Sequence, residues 1–235
     1  MAEAPSSEQS RLLVETARRV WRGSFQGLLS THSATHTGYP FGSIVPFCLD
    51  REGIPLLLLS HLAQHCKNLL ENPACGLLLS EPGSGDPQQL ARLSLVAECR
   101  LLDEPDPQEA ERYFRYFPHS RHYYEHLHFR FFCLQPQHFH LNAGFAAARW
   151  LGSDRVIQAR NFDPATEASL RTRGEREQEL LHRLLQVDDG QIEITGLDNC
   201  GMDLRLEQQL QRVNFPLTVC GLNDLHTALT QMQEG

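Results

Sequence analysis

The chain has 235 residues, of which 41% are apolar and 21% charged, enough for a folded core in one or two domains. The formal net charge of -8 argues against broad nucleic-acid binding, no stretch approaches the ~18 apolar residues of a membrane span, and the N-terminus does not resemble a signal peptide. The seven cysteines are scattered and form no CxxC pair, which argues against a disulfide framework or a zinc site and favours a reducing cytoplasm.

The first half of the chain is predicted to consist of strands in hairpins with short helices between them. An opening helix covers residues 6–23, with Ser6 and Gln9 at the spacing of a capping box. The turn at 50–53 joins two of the strands in a hairpin, and a second helix covers 61–73. The predicted strands cover residues 25–31, 43–49, 54–60, 74–80 and 91–102.

The next two predicted elements complete this pattern. A helix over 106–118 has Asp106 as its N-cap, and a strand over 129–141 contains Pro136, which requires a sheet edge or a bulge. Hairpins with inserted helices differ from the regular alternation that produces a parallel sheet. The sequence therefore predicts an α+β protein built on an antiparallel barrel with flanking helices.

The composition changes after about residue 152 and indicates a second domain. We predict a split-barrel domain over 8–152, a polar linker over 153–172, and a small α+β domain over 173–235. The small domain has two or three short strands within 190–219 and a last helix capped by Asn223.

Several stretches resemble the FMN-binding split barrels related to pyridoxamine 5'-phosphate oxidase. They are "GYPFGSIVPF" (38–47) and "LLLLSHLAQHCKNLLENPACGLLL" (56–79). "LNAGFAAARWL" (141–151) is similar to a signature of the haem-iron-utilisation branch, and "TGLDNCGMDLRL" with "VNFPLTV" (195–219) resembles its small C-terminal domain. The resemblance covers about residues 10–233. It implies a six-stranded antiparallel split barrel, a homodimer, and a small planar cofactor, haem or FMN, at the dimer interface.

The candidate cofactor residues follow from this resemblance and from local chemistry. Ser43 and Val45 face the same side of their strand, and the resemblance implies that this strand lines the cofactor pocket. The turn into the second helix offers polar groups near a helix N-terminus, where an anion is favoured. Arg92 aligns with a flavin-contacting polar residue of relatives. The predicted cofactor-binding residues are Ser43, Val45, Ser60, His65, Lys67, Asn68 and Arg92.

One departure from the resemblance bears on FMN. Relatives that bind FMN carry an Arg-Lys pair in this turn, whereas this chain has Gln64 and His65. The change weakens the predicted grip on a phosphate, unless Lys67 points inward and compensates. The alternative interpretation of the turn is an ordinary exposed helix with solvated charges, and that of Arg92 is a surface arginine.

Histidines are the other candidates for cofactor or metal ligands. His122 and His126 would share one helix face at i, i+4 and could take a metal, although a polar connection between helix and strand is the alternative. In the second domain, relatives carry an "HMNxDH"-type run. His182 stands near its first histidine and is the candidate haem ligand there, but the Asn, Asp and second His of the run do not follow in this chain. His226, the last histidine, is expected on a helix surface.

Other chemistry-bearing residues have simpler interpretations. Cys48 and Cys133 lie in apolar strands and are predicted to be inert core residues. Arg149, Arg155 and Arg160 could pair with haem propionates, because arginine pairs well with carboxylates. Scattered solvated arginines are the alternative.

Three functional hypotheses remain open from the sequence. The first is a cytoplasmic, homodimeric haem-utilisation protein that binds haem at its dimer interface and assists its oxidative degradation. The second is an FMN-dependent oxidoreductase on the same fold, and the third is a binding or regulatory protein without a cofactor. No nucleic-acid or membrane partner is expected, and the fold alone does not distinguish the three.

Overall fold

A computed structural model describes residues 7–83, 86, 88–144, 148–157 and 162–234. The described residues fall into two compact units, each with its own hydrophobic core. The first unit takes residues 7–105 and 122–157, and the second takes 106–121 and 162–234.

Among the described residues of the first unit, eight antiparallel strands form one sheet. They are β1 (Gln26–His32), β2 (Pro40–Pro46), β3 (Cys48–Leu49), β4 (Pro55–Ser60), β5 (Ala74–Ser80), β6 (Arg92–Leu102), β7 (Phe129–Asn142) and β8 (Ala148–Gly152). Their order is β2-β1-β5-β6-β7-β4-β3, and β8 also pairs with β7. The predicted count of six is not confirmed, because β3 separates from β2 and β8 adds a further strand.

The helices pack around this sheet and in the second unit. They are α1 (Ser7–Arg22), α2 (Gln64–Glu71), α3 (Pro107–Tyr116), α4 (Ser120–His126), α5 (Ser153–Val156), α6 (Pro164–Gly174), α7 (Gln178–Leu185) and α8 (Leu222–Glu234). The indole of Trp21 on α1 is buried edge-on against Phe139, with ring centres 4.9 Å apart. Among the described residues, no helix is long and apolar enough to cross a membrane.

The predicted helix caps have different outcomes. Asp106 caps α3 as predicted, because its carboxylate accepts a hydrogen bond from the Gln108 N–H at 2.8 Å. Asn223 does not cap the last helix. It lies inside α8, and the carboxylate of Asp224 accepts the Cys220 N–H at 2.9 Å instead. The predicted capping residue Ser6 lies outside the described residues.

The break between β2 and β3 explains how the sheet curls. Pro46 has no N–H to give to a strand ladder, and the Phe47 N–H donates to the Phe25 carbonyl at 3.0 Å. Only Cys48 and Leu49 then pair with β4 in the predicted hairpin. Because β2 and β3 follow one another in the chain but stand at opposite ends of the strand order, they hold the two ends of the sheet together.

The sheet edge or bulge expected at Pro136 is present in β7 as a bulge. Val96 pairs with His138 and the next residue, Ala97, pairs with Pro136, so Gln137 is the extra residue. Pro136 has β6 as its paired neighbour, since β4 pairs with β7 up to Cys133 and β8 pairs from His138. The expectation of an edge or a bulge at this proline is therefore confirmed.

The second unit is a three-stranded antiparallel sheet with helices. Its strands are β9 (Ile192–Asp198), β10 (Gly201–Leu206) and β11 (Gln209–Asn214). The second unit differs in two respects from the predicted division of the chain into a barrel domain (8–152), a linker (153–172) and a small domain (173–235). Helix α3 belongs to this unit, and α6 begins inside the predicted linker and buries Leu170 in the core. The division itself stays a prediction.

Buried charges connect α3 to this small sheet. The Tyr116 hydroxyl donates to the Asp203 carboxylate at 2.5 Å, and Arg212 donates to the same carboxylate at 2.8 Å. The guanidinium of Arg112, which is fully buried, donates to Glu167 on α6 at 2.6 Å. A helix from the first half of the sequence thus completes the polar interior of the second unit.

Candidate functional site

The structure brings together two of the predicted cofactor residues, Ser43 and His65. Ser43 lies on β2 and His65 in the first turn of α2, and the His65 Nδ1 is 3.1 Å from the Ser43 Oγ. Burial of the imidazole lowers the pKa of His65 and favours its neutral form. The contact links α2 to the edge strand of the sheet.

Asn68 has a different position from the one predicted. Its side chain is fully buried. The amide oxygen accepts hydrogen bonds from the Ala34 N–H at 3.0 Å and the Gln64 side chain at 2.8 Å, and the amide nitrogen donates to the Thr31 hydroxyl at 2.9 Å. Asn68 therefore anchors α2 to β1 and to the loop before β2, and it is not presented to a ligand.

In the turn before α2, which the structure describes, no group of positively charged side chains points inward. The Ser60 hydroxyl accepts the Leu62 N–H at 3.3 Å, and Lys67 is exposed. Gln64 and His65, at the positions of the relatives' basic pair, are both engaged by the contacts to Asn68 and Ser43. These observations do not support the predicted phosphate grip.

Val45 is a core residue and does not form a ligand-facing wall. Its side chain is only 1% exposed and packs in the main apolar cluster of the first unit. Ser43 points to the same inner side of β2, at the margin of the core. The outward-facing residue of this strand is Ile44, which is 67% exposed. The prediction that Ser43 and Val45 form a wall of the cofactor pocket is therefore corrected. Because side chains alternate along a strand, Ile44 between them points outward.

The outward face of the sheet carries a continuous row of directly paired residues, which we name the outer row. Apolar side chains on three strands are followed by a serine, an imidazole and an indole. Ile44 is 67%, Leu78 38% and Trp150 61% exposed. The outer row consists of Ile44, Leu28, Leu78, Ser94, His140 and Trp150.

A second row of pairs runs beside the outer row and has glycine or serine at four of its six positions. We name it the glycine row, and it consists of Gly42, Ser30, Gly76, Val96, His138 and Gly152. Packing within the chain does not require glycine at position 76, because an added Cβ would have its nearest neighbour at 3.4 Å, an ordinary contact. The small residues thus leave a shallow surface between Ile44 and His138.

Two histidines and a tryptophan stand at one end of these rows. The ring centres of His140 and Trp150 are 4.9 Å apart, and those of His138 and Trp150 are 6.5 Å apart. Neither His138 nor His140 was among the cofactor residues predicted from the sequence. Their alternation in "QHFHL", with Phe139 in the core between them, was the signal that both imidazoles face outward.

Arg92 lies on the same outward face as the two rows. It occupies β6 two positions before Ser94, and its Nη2 donates to the Gln88 carbonyl at 3.4 Å. Its Nε is buried without a hydrogen-bond partner. A buried guanidinium N–H in this state favours an added acceptor such as a carboxylate. Among the predicted cofactor residues, Arg92 faces outward, whereas Ser43, Val45 and His65 belong to the inner side.

The remaining predicted residues are dispersed. His122 and His126 lie one turn apart on α4 with ring centres 4.8 Å apart. The His182 Nε2 is 2.6 Å from the Gly190 carbonyl in the second unit, and His226 is exposed on α8, as expected. In the part of the chain that the structure describes, no group of three or more His, Cys, Asp or Glu side chains could hold a metal.

The other residues considered from the sequence are three arginines and two cysteines. Arg155 is exposed and donates to the Ser10 hydroxyl at 3.4 Å, Arg149 has a buried Nη1 without a hydrogen-bond partner, and Arg160 lies outside the described residues. Cys48 and Cys133 are buried, in agreement with their predicted place in the core.

The chain matches one protein-family model and is similar to one relative of known name. A family model described as "CREG, beta-barrel" matches residues 8–156. The non-canonical heme oxygenase HOZ of Arabidopsis thaliana, a chloroplastic protein, is 30% identical over an alignment of 251 residues that covers 99% of this chain and 76% of the relative.

Two solved structures share the fold. The protein Atu2129 of Agrobacterium tumefaciens, of unknown function, has a TM-score of 0.78 at 23% identity and covers 98% of each chain. A heme binding protein from Mycobacterium smegmatis has a TM-score of 0.57 at 22% identity, covering 99% of this chain and 98% of its own. At these identities the likeness concerns the fold.

Proposed function

We propose that this chain, which belongs to the CREG β-barrel family of split barrels related to pyridoxamine 5'-phosphate oxidase, binds haem on the outward face of its sheet. The observation that carries the proposal is a pair of imidazoles, His138 and His140, beside a flat surface with exposed apolar side chains. Haem is a planar apolar ligand that takes an imidazole as axial ligand. The name of the relative from Arabidopsis supports the same cofactor.

Different residues of the outward face match different parts of the haem molecule. The glycine row offers room for the macrocycle, and Ile44 and Leu78 offer apolar contacts. Arg92, whose Nε is buried without a hydrogen-bond partner, offers a charge-assisted bond to a propionate. The inner residues Ser43 and His65 then position β2 and α2, and they do not touch the ligand.

We further propose that two copies of the chain meet on this face and enclose the haem. Val96 in the glycine row is 42% exposed, and Ile44 and Trp150 at the two ends of the outer row are more exposed still. Several exposed apolar side chains on one face of a sheet are typical of an interaction surface. A second copy would cover these side chains and exclude water from the ligand.

The chain's own residues have limited chemical roles in this proposal. His138 or His140 would hold the iron through an imidazole nitrogen, Trp150 would keep water away, and Arg92 would hold a propionate. When bound, haem would supply the chemistry of dioxygen activation and electron transfer. We propose oxidative degradation of the bound haem as the activity, with dioxygen as the oxidant and an external electron donor, and the support is the name of the Arabidopsis relative.

Absorption titrations test the cofactor directly. The purified full-length protein is titrated with haemin and, separately, with FMN. We expect a saturable shift of the Soret band with haemin and no retained or quenched flavin. Retention of FMN without a Soret shift would support the flavin oxidoreductase instead, and no response to either ligand would leave a cofactor-free binding protein.

A further inference from the structure

We propose that His122 and His126 on α4 form an exposed binding site for a divalent transition-metal ion of the copper or zinc class. This site goes beyond the haem proposal and does not depend on it. Both imidazoles are exposed on the protein surface, so a hydrated ion can reach them and exchange its water ligands.

The geometry of the two rings matches a shared ion. Residues four apart on a helix lie on the same face, and the ring centres of His122 and His126 are 4.8 Å apart with their planes at 52°. Because zinc binds imidazole nitrogen at about 2.0–2.1 Å, two rings on one tetrahedral ion have centres about 5 Å apart. The separation of the two ring centres is therefore compatible with one shared ion.

The residues around the two histidines favour a metal site in which water occupies some of the coordination positions. The Glu125 carboxylate lies 3.8 Å from the His126 Nε2 and adds negative charge beside the pair. No cluster of three protein ligands occurs among the described residues, so water would complete the coordination. Imidazole suits copper and zinc, and the general order of affinities places Cu²⁺ above Zn²⁺. Magnesium and calcium prefer oxygen ligands and are expected not to bind.

Calorimetric titration of the full-length protein with CuCl₂, ZnCl₂ and MgCl₂ tests the site. We expect saturable binding of copper and weaker binding of zinc. His122→Ala and His126→Ala should each lower the copper affinity by about tenfold or more, since one imidazole cannot chelate. The matched control is His226→Ala, which removes an exposed helical histidine with no second histidine at i±4. Unchanged copper binding in both α4 variants, or an equal loss in the control, would overturn the proposal.

The same variants separate this site from haem binding. In haemin titrations, His122→Ala and His126→Ala should bind like the wild type while their copper affinity is reduced. A loss of haemin binding in both variants would assign these histidines to the haem site and overturn the separate metal site. Electron paramagnetic resonance of the copper-loaded protein should show two equivalent nitrogen ligands in the wild type and one in either variant.

Discussion

His140 on β7 lies directly opposite Trp150 on β8, and their ring centres are 4.9 Å apart on the outward face of the sheet. Trp150 is 61% exposed, although burial of an indole contributes some of the largest apolar contact areas in proteins. An exposed indole beside an imidazole, at the end of an apolar row, indicates a surface that a ligand or a partner covers. Haem and a second copy of the chain are the occupants that we propose.

Arg92 should affect haem binding through the propionates. Because a charge-assisted hydrogen bond contributes about 1.5–3 kcal/mol, Arg92→Gln should weaken haemin binding by about tenfold to a hundredfold. Haemin dimethyl ester, which has no carboxylates, should bind the variant and the wild type equally. Arg100→Gln is the control, because Arg100 is an exposed residue of the same strand. An equal loss of affinity for haemin and its ester would contradict the pairing.

Val96→Asp should prevent dimer formation. A carboxylate at this position, even beside the paired His138, would be buried if two copies met there, and burial of a charge costs on the order of several kcal/mol. Sedimentation should show a dimeric wild type and a monomeric variant at micromolar concentration. The control variant Leu12→Asp, at an exposed position of α1, should stay dimeric. A monomeric wild type, or a Val96→Asp dimer, would remove the proposed interface.

The stability of the first unit should depend on pH through His65. Burial lowers the pKa of His65 from its ordinary value of 6.5, so the unfolded chain takes up the proton more readily than the folded one. The contribution is therefore present above pH 6.5 and is lost as the pH falls through the lower, folded-state pKa.

Urea unfolding at about pH 7.5 and pH 5 measures this effect. The wild type should lose more stability on acidification than His65→Gln, which has no titrating ring at this position. Ser43→Ala, which removes the hydroxyl beside the ring but keeps the imidazole, should retain the pH dependence. Identical acid sensitivity in the wild type and His65→Gln would show that burial of this imidazole has no consequence for folding.

Tyr116→Phe should destabilise the second unit. The variant removes the hydroxyl that donates to the buried Asp203 carboxylate, and loss of a partner to a buried acceptor costs about 1–3 kcal/mol. The free energy of unfolding from urea titration should fall by this amount. Tyr123→Phe, which changes an exposed tyrosine, should have little effect, and a similar loss in both variants would argue against the buried contact.

Much of the fold followed from local patterns. Alternation and turn residues predicted the principal strands, and Pro136 predicted an edge or a bulge, of which the bulge is present, because proline cannot complete a ladder. The separation of β2 from β3 was not predicted, because it depends on the distant partner of Phe47. The inclusion of α3 in the second unit was missed for the same reason, since Tyr116 meets Asp203 across 87 residues of sequence.

The candidate site was predictable only in part. The resemblance selected Ser43 and His65, which do meet, and Arg92, which faces outward. It could not show that Val45 is in the core or that Asn68 is enclosed by hydrogen bonds. Such outcomes depend on which side of a strand or helix the fold covers, and that is decided by tertiary packing.

The haemin affinity of a variant with both His138→Ala and His140→Ala tests the account most directly. Both side chains face outward beside Trp150, so their removal should leave the fold intact. We predict that the double variant loses haemin affinity by at least about tenfold, with an altered Soret maximum, while His182→Ala retains both. Wild-type affinity and spectrum in the double variant, with loss of binding in His182→Ala, would contradict the account.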